Sequence, residues 1–189
     1  TSHNVIPTAS NNVFVTEHEH FTPTVTKAPN GKWLLDFGQK IAGYISFCIQ
    51  AKASQKLTFR FGELLDEEGN LTLKNIQCVS KEKASPLQQI IYTCREGWND
   101  YKTTFAVFGF QYAEVDTDIE LQPEDVTAIA VYSDIAQTGF FESSNALLNR
   151  FVDATVWSTK GNSLDIPTDC PTRERHGWTG DAQIFFETA

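Results

Sequence analysis

Between residues 30 and 133 apolar side chains recur at every second position, and this period constrains the fold more than any other feature of the chain. In Trp33-Leu34-Leu35-Asp36-Phe37 the odd positions share a face. Over residues 44–51, Ile45, Phe47, Ile49 and Ala51 point one way while Ser46, Cys48 and Gln50 point the other. Leu57-Thr58-Phe59-Arg60-Phe61 repeats the alternation, and so do Val126, Ala128 and Ala130. Such rows are half-buried antiparallel strands. Turn chemistry separates them at Pro29-Asn30-Gly31, Asp66-Glu67-Glu68-Gly69-Asn70 and Glu96-Gly97-Trp98-Asn99-Asp100. Strands and turns in series predict a mainly β fold, an antiparallel β-sandwich over residues 1–137, with 1–30 an irregular lead-in. A chain of 189 residues, 41% of them hydrophobic, has material for one large core, or for one domain and part of another.

Residues 104–115 are denser in aromatics: Phe105, Phe108, Phe110 and Tyr112 flank Gly109. The stripe reads as a central strand of the sandwich, with a sugar-stacking platform as the alternative. Gly109 marks a bulge or a close backbone approach.

After Gly139 the character changes. Phe140-Phe141-Glu142 reads as a last strand, and Ser143-Ser144-Asn145 offers a helix N-cap. Leu147, Leu148, Phe151, Val152 and Thr155 follow at helical spacing until Gly161. Pro167 and Pro171 then hold an acid-rich stretch as loop. Thr179-Gly180-Asp181 opens a second helix through Ala182, Ile184, Phe185 and Phe186, with no stop signal before Ala189. Residues 138–189 are therefore expected to be a linker and the truncated start of a second domain. Its exposed apolar helix faces are expected to favour self-association.

A net charge of −9 disfavours nucleic acid as a partner, because phosphate contacts need a basic surface. No apolar run approaches the roughly 20 residues that cross a bilayer, so no membrane partner is expected. The N-terminus lacks signal-peptide chemistry and the chain has no Met, which suggests a processed or excised piece. Cys48, Cys78, Cys94 and Cys170 lack zinc-site spacing and read as free, mostly buried thiols, a lean toward a reducing compartment. His18-Glu19-His20 near the terminus reads as solvated. Neither a metal nor a cofactor is predicted.

The candidate chemistry lies in Asp165-Ile166-Pro167-Thr168-Asp169-Cys170-Pro171-Thr172-Arg173-Glu174-Arg175-His176-Gly177-Trp178-Thr179-Gly180-Asp181. Glycoside hydrolysis needs a carboxylic acid to protonate the leaving oxygen and a carboxylate to activate water or attack carbon. Near neutral pH the acid must be raised by roughly two units from about 4.3. Carboxylates close to Glu174 in sequence favour this, and Arg173 and Arg175 oppose it. Other carboxylates suit ring hydroxyls, and Trp178 offers an apolar wall. On the residues alone a second reading stays open: a charged surface loop held by internal salt bridges, with Asp181 capping a helix.

This stretch strongly resembles the signature of the bacterial α-L-rhamnosidases of glycoside hydrolase family 78. Further matches are Asp36-Phe37-Gly38-Gln39-Lys40-Ile41-Ala42-Gly43-Tyr44, Arg60-Phe61-Gly62-Glu63-Leu64-Leu65-Asp66-Glu67-Glu68-Gly69-Asn70-Leu71 and Phe108-Gly109-Phe110-Gln111-Tyr112-Ala113-Glu114-Val115. The resemblance implies a concanavalin-like sandwich followed by the first helices of an (α/α)6 barrel, and inverting hydrolysis of terminal α-L-rhamnose from glycosides. It implies Glu174 as general acid, and Asp169, Arg173, Trp178 and Asp181 as substrate-binding residues. The family's general base is a glutamate further along the barrel, so the isolated chain is expected to be inactive. Many relatives carry one more residue between the Arg and the Glu, so the match at Glu174 rests on a deletion there. Others have His where Phe108 stands. A bacterial source follows, with cytoplasm and periplasm both open. The alternative function is a non-catalytic carbohydrate-binding or structural accessory sandwich.

Overall fold

The computed structural model describes residues 6, 8, 9, 13–77 and 88–185. Cys78 and Phe186, named above, lie outside them. In chain order the strands are β1 Val15–Phe21, β2 Thr24–Lys27, β3 Trp33–Ala51, β4 Lys56–Gly62, β5 Leu64–Leu65, β6 Leu71–Thr72, β7 Gln89–Thr93, β8 Gly97–Lys102, β9 Phe108–Asp116 and β10 Val126–Ser133. Helix α1 Ala146–Gly161, the short strands β11 Ser163–Leu164 and β12 Ile166–Pro167, and helix α2 Thr179–Phe185 follow.

The sandwich is one antiparallel sheet curled over itself. Its hydrogen-bonded order is β1-β10-β3-β9-β4-β7, with β2 and β8 also pairing β3. The 19-residue β3 makes this continuity. Its first part pairs β2 and β9, and its last part pairs β10 and β8. Between Asp36↔Tyr112 and Ile41↔Phe110 the register slips, five steps on β3 answering two on β9. Gly38 takes a left-handed φ of 73° there and donates its N–H to Asp36 Oδ1 at 2.8 Å. A bulge of this kind bends the strand and lets one sheet form both layers. Phe37 and Ile41, on either side of it, are both buried.

The alternation expected from sequence is the core. Ile45, Phe47, Ile49 and Ala51 are buried, as are Leu57, Phe59, Phe61, Val126, Ala128 and Ala130. The rings of Phe61 and Phe108 stack at 4.6 Å, and Phe37 meets Phe110 edge-on at 5.5 Å. Each such side chain removed from water contributes about 1.5–3 kcal/mol.

Several expectations change. Much of the supposedly irregular lead-in is strand: β1 pairs β10 and β2 pairs β3. The signal was hidden because β1 reads Val-Thr-Glu-His-Glu-His-Phe and makes polar contacts through its middle, with only Phe21 packed against the core. Residues 97–100, expected in a turn, belong to β8, and the left-handed Gly97 (φ 90°) starts that strand. Phe140-Phe141-Glu142 is not a strand; it crosses to α1 without a ladder partner among the described residues. Phe105 leaves the aromatic stripe for the β8–β9 connection, where it is 106% exposed with a φ of 61°. The thiols also differ, since Cys94 is buried but Cys48 is exposed.

Asn145 caps α1, its Oδ1 accepting from the N–H groups of Leu147 and Leu148. The helix docks through its C-terminal half. Trp157 meets Phe21 edge-on, with ring centroids 5.8 Å apart. Lys160 Nζ bonds Glu19 Oε1, and Tyr132 donates its hydroxyl to the same carboxylate. A bulge in β1 between Glu17 and His20 lies at this contact. His18, expected to be solvated, stacks on Tyr132 at 3.7 Å and donates Nε2–H to its carbonyl oxygen. No helix among the described residues is long and apolar enough to cross a membrane.

Candidate active site

Gly161 and Asn162 end α1, and the chain turns back through β11 and β12 around Asp165, whose φ is 71°. Asp165 donates its N–H to the buried Ser133 hydroxyl of β10, at 3.0 Å. Thr168 N–H bonds Asn162 carbonyl oxygen at 2.8 Å, which brings the acid-rich loop beneath the end of the helix. The loop then closes on itself. Asp169 N–H donates to the His176 carbonyl, and Asp169 Oδ1 accepts from the His176 N–H at 2.9 Å. Burial pushes the Asp169 carboxyl up, but hydrogen bonds from the His176 backbone and from Cys170 outweigh it and hold the group below the ordinary aspartate range. Asp169 is thus an anion and a hydrogen-bond acceptor at neutral pH. Trp178 supplies the carbonyl that accepts the first turn bond of α2, from Ala182 N–H. Asp181 sits in the first turn of that helix, where the positive end of the dipole favours a carboxylate.

A cleft of about 450 Å³ lies between α1, the loop and α2. Asp169, Trp178 and Asp181 all line it. Three of the five residues picked from sequence therefore converge on one hollow. Arg173 and Glu174 are not in its lining. They pair with each other on the adjacent turn, Nη2 to Oε1 at 2.8 Å, and Glu174 donates its N–H to Cys170 Sγ at 3.3 Å. Ile184 and Phe185 give the cleft an apolar side. Sequence reasoning missed Asn162, which also lines it. Its Nδ2 donates to Ser158 carbonyl oxygen, while Oδ1 is buried with no partner among the described residues. An Asn one residue past a helix-ending Gly reads as a cap, so nothing in the sequence set it apart. The hollow combines the carboxylates of Asp169 and Asp181 with apolar carbon from Trp178, Ile184 and Phe185. Among the described residues no cluster of His, Cys, Asp and Glu has the arrangement of a metal site.

The sandwich holds this loop through close contact. A Cβ on Gly109 of β9 would stand 2.5 Å from Thr172 Cγ2 and 2.8 Å from Pro171 Cγ. Only glycine leaves room for the loop to lie against the strand.

Residues 26–132, more than half of the chain, match the family model of the bacterial alpha-L-rhamnosidase concanavalin-like domain. The chain belongs to the bacterial alpha-L-rhamnosidase family. Residues 136–189 match that family's 6 hairpin glycosidase domain. Among curated proteins the chain is similar to an alpha-L-rhamnosidase of Formosa agariphila, 32% identical over 168 residues, which are 87% of this chain and 17% of that protein. Among solved structures it is similar to the alpha-L-rhamnosidase from Dictyoglumus thermophilum, at a TM-score of 0.87 and 28% identity over 96% of this chain and 20% of that one. It is also similar to the Streptomyces avermitilis alpha-L-rhamnosidase complexed with L-rhamnose, at a TM-score of 0.85 and 28% identity, covering 94% of this chain and 17% of that chain. The chain thus spans about one sixth of the length of the curated rhamnosidases it matches.

Proposed function

We propose that this chain contributes the acid-bearing wall of a site that hydrolyses terminal α-L-rhamnosides with inversion. The observation that carries the reading is the convergence of Asp169, Trp178 and Asp181 on one cleft, with Glu174 on the turn beside it. Rhamnose is a 6-deoxy sugar, with hydroxyls on one part of the ring and a methyl group on another. Carboxylates at 169 and 181 accept from hydroxyls, while Trp178 and the apolar side of the cleft receive the methyl and ring carbons. Glu174 protonates the departing glycosidic oxygen. Proton donation needs the neutral acid, so the substrate must draw Arg173 away from Glu174, giving that guanidinium a sugar hydroxyl instead. Inversion requires a second carboxylate roughly 6.5–9.5 Å from the acid, with a water between them. The resemblance assigns that base to a part of the barrel outside these residues, so the 189-residue chain alone turns over no rhamnoside.

The division of the chain at residues 137 and 138 belongs to the same reading. It is supported by the end of β10 at Ser133 and by the gap between the two family matches.

A chimera tests the function: this chain replaces the matching segment of the Streptomyces avermitilis enzyme, and release of p-nitrophenol from its α-L-rhamnoside is followed. Turnover by the chimera, and none by the 189-residue chain, is the expected result. Steady turnover by the chain alone, or an unchanged rate on an alkyl rhamnoside in the Glu174→Gln chimera, sinks it.

A further inference from the structure

We propose that Gln88, a residue of the sandwich, is a positioning residue for the turn that carries Glu174. This rests on the reading of Glu174 as the acid. Gln88 precedes β7 and is 7% exposed. A side-chain amide has two donor hydrogens and an oxygen that accepts twice, and here all four are used. Nε2 donates to Phe61 carbonyl oxygen at 3.3 Å and to Gly109 carbonyl oxygen at 3.0 Å. Oε1 accepts from Gly109 N–H at 3.0 Å and from Arg175 Nη2 at 3.0 Å. A buried amide with every direction satisfied has one orientation, so it transmits the position of β9 to whatever holds its last bond.

That last bond reaches the residue after Glu174. Arg175 stands at a φ of 58°, a backbone conformation that a side chain disfavours, so it persists where its surroundings hold it. Its Nε donates to Thr172 carbonyl oxygen at 3.3 Å, closing the turn across Arg173 and Glu174. Thr172 and Pro171 in turn rest on Gly109, the same residue whose backbone Gln88 grips. Glu174 therefore lies between two anchors on a single point of β9, one steric and one hydrogen-bonded. Gln88 touches no part of the cleft lining, so its influence runs through Arg175.

Two variants test this, read by amide exchange in the 189-residue chain and by turnover in the chimera. Arg175→Met removes the loop end of the bridge and leaves the bonds from Gln88 to Gly109 intact; Gln88→Leu removes the whole amide. The expected result for Arg175→Met is exchange of the Glu174 and His176 amides faster by about tenfold or more, with Ile45 and Ala128 as slow as before. Arg175→Lys, which keeps a cationic donor, recovers most of the protection. In the chimera both variants lower kcat by roughly 10- to 100-fold with KM nearly unchanged, and the double variant is no worse than the worse single one. If Gln88→Leu does not fold, Arg175→Met decides. Unchanged exchange of the Glu174 and His176 amides in Arg175→Met, or an unchanged kcat there when Glu174→Gln lowers turnover of an alkyl rhamnoside, overturns this inference alone. Turnover of an alkyl rhamnoside that is undiminished in Glu174→Gln overturns the reading beneath it.

Discussion

Lys160 Nζ, in the last turn of α1, stands 2.6 Å from Glu19 Oε1 of β1. Burial pushes the Glu19 carboxyl up, but the bonds from Lys160 and Tyr132 outweigh it and hold the group below its ordinary value of 4.5. Burial likewise pulls the Lys160 ammonium down, and its bond to Glu19 outweighs that, lifting it above 10.5. A depressed carboxyl contributes stability in full above its unfolded value and loses it as pH falls through the folded one. A raised ammonium contributes in full below its unfolded value and loses it as pH rises through the folded one. The helix is therefore held best between about pH 5 and pH 10. The pair is partly exposed, so Glu19→Gln at pH 7 costs about 0.5–1 kcal/mol, or roughly 1–4 °C in Tm. Melting curves in acid must show that gap closing; a gap independent of pH contradicts the assignment.

Replacing Glu174 by Gln separates general-acid catalysis from a supporting role. p-Nitrophenolate leaves without much help, whereas an alkyl or sugar alkoxide needs its proton. In the chimera, Glu174→Gln should cost about 10²–10⁴ in kcat on alkyl rhamnosides and clearly less on the p-nitrophenyl substrate. Equal losses on both would assign Glu174 another job.

Gly109→Ala places a methyl where Thr172 Cγ2 and Pro171 Cγ already lie. Overpacking of this kind costs about 1–3 kcal/mol. Thr172→Ser removes the nearer of the two atoms and should return part of that loss. A double-mutant cycle by denaturant titration measures the coupling, and additivity would mean that the loop does not rest on β9 in solution.

Phe105 combines full exposure with a left-handed backbone. Its ring loses no packing on substitution, and Asn tolerates that conformation far better than a bulky side chain. Phe105→Asn is expected to raise stability by about 0.5–1 kcal/mol, read as a Tm gain of roughly 1–4 °C. A lower Tm would show that the ring has a contact in solution.

Ile45, Phe47, Ile49 and Ala51 could be read from the sequence because a strand with one wet face writes its burial directly as a period of two. β1 could not, since its inward contacts are made by His18 and Glu19 to Tyr132 and Lys160, distant positions that no local pattern encodes. The same holds at the candidate site. The density of acids and arginines drew attention to the loop, and the resemblance picked residues within it; Asp169, Trp178 and Asp181 share a cleft, whereas Arg173 and Glu174 pair on the adjacent turn. Gln88 had no such flag, because a glutamine beside another at the start of a strand looks like any polar residue until its amide is seen between Gly109 and Arg175. Phe105 misled for the opposite reason: composition placed it with its aromatic neighbours, and a left-handed turn took it away.

Because β3 belongs to both layers, the sandwich has no seam along which it opens in two. Unzipping either layer must tear bonds from a strand the other still needs, so the layers have to melt together. Proteolysis at the Gly38 kink would cut both at once, and denaturant should find a single step with no half-open species between.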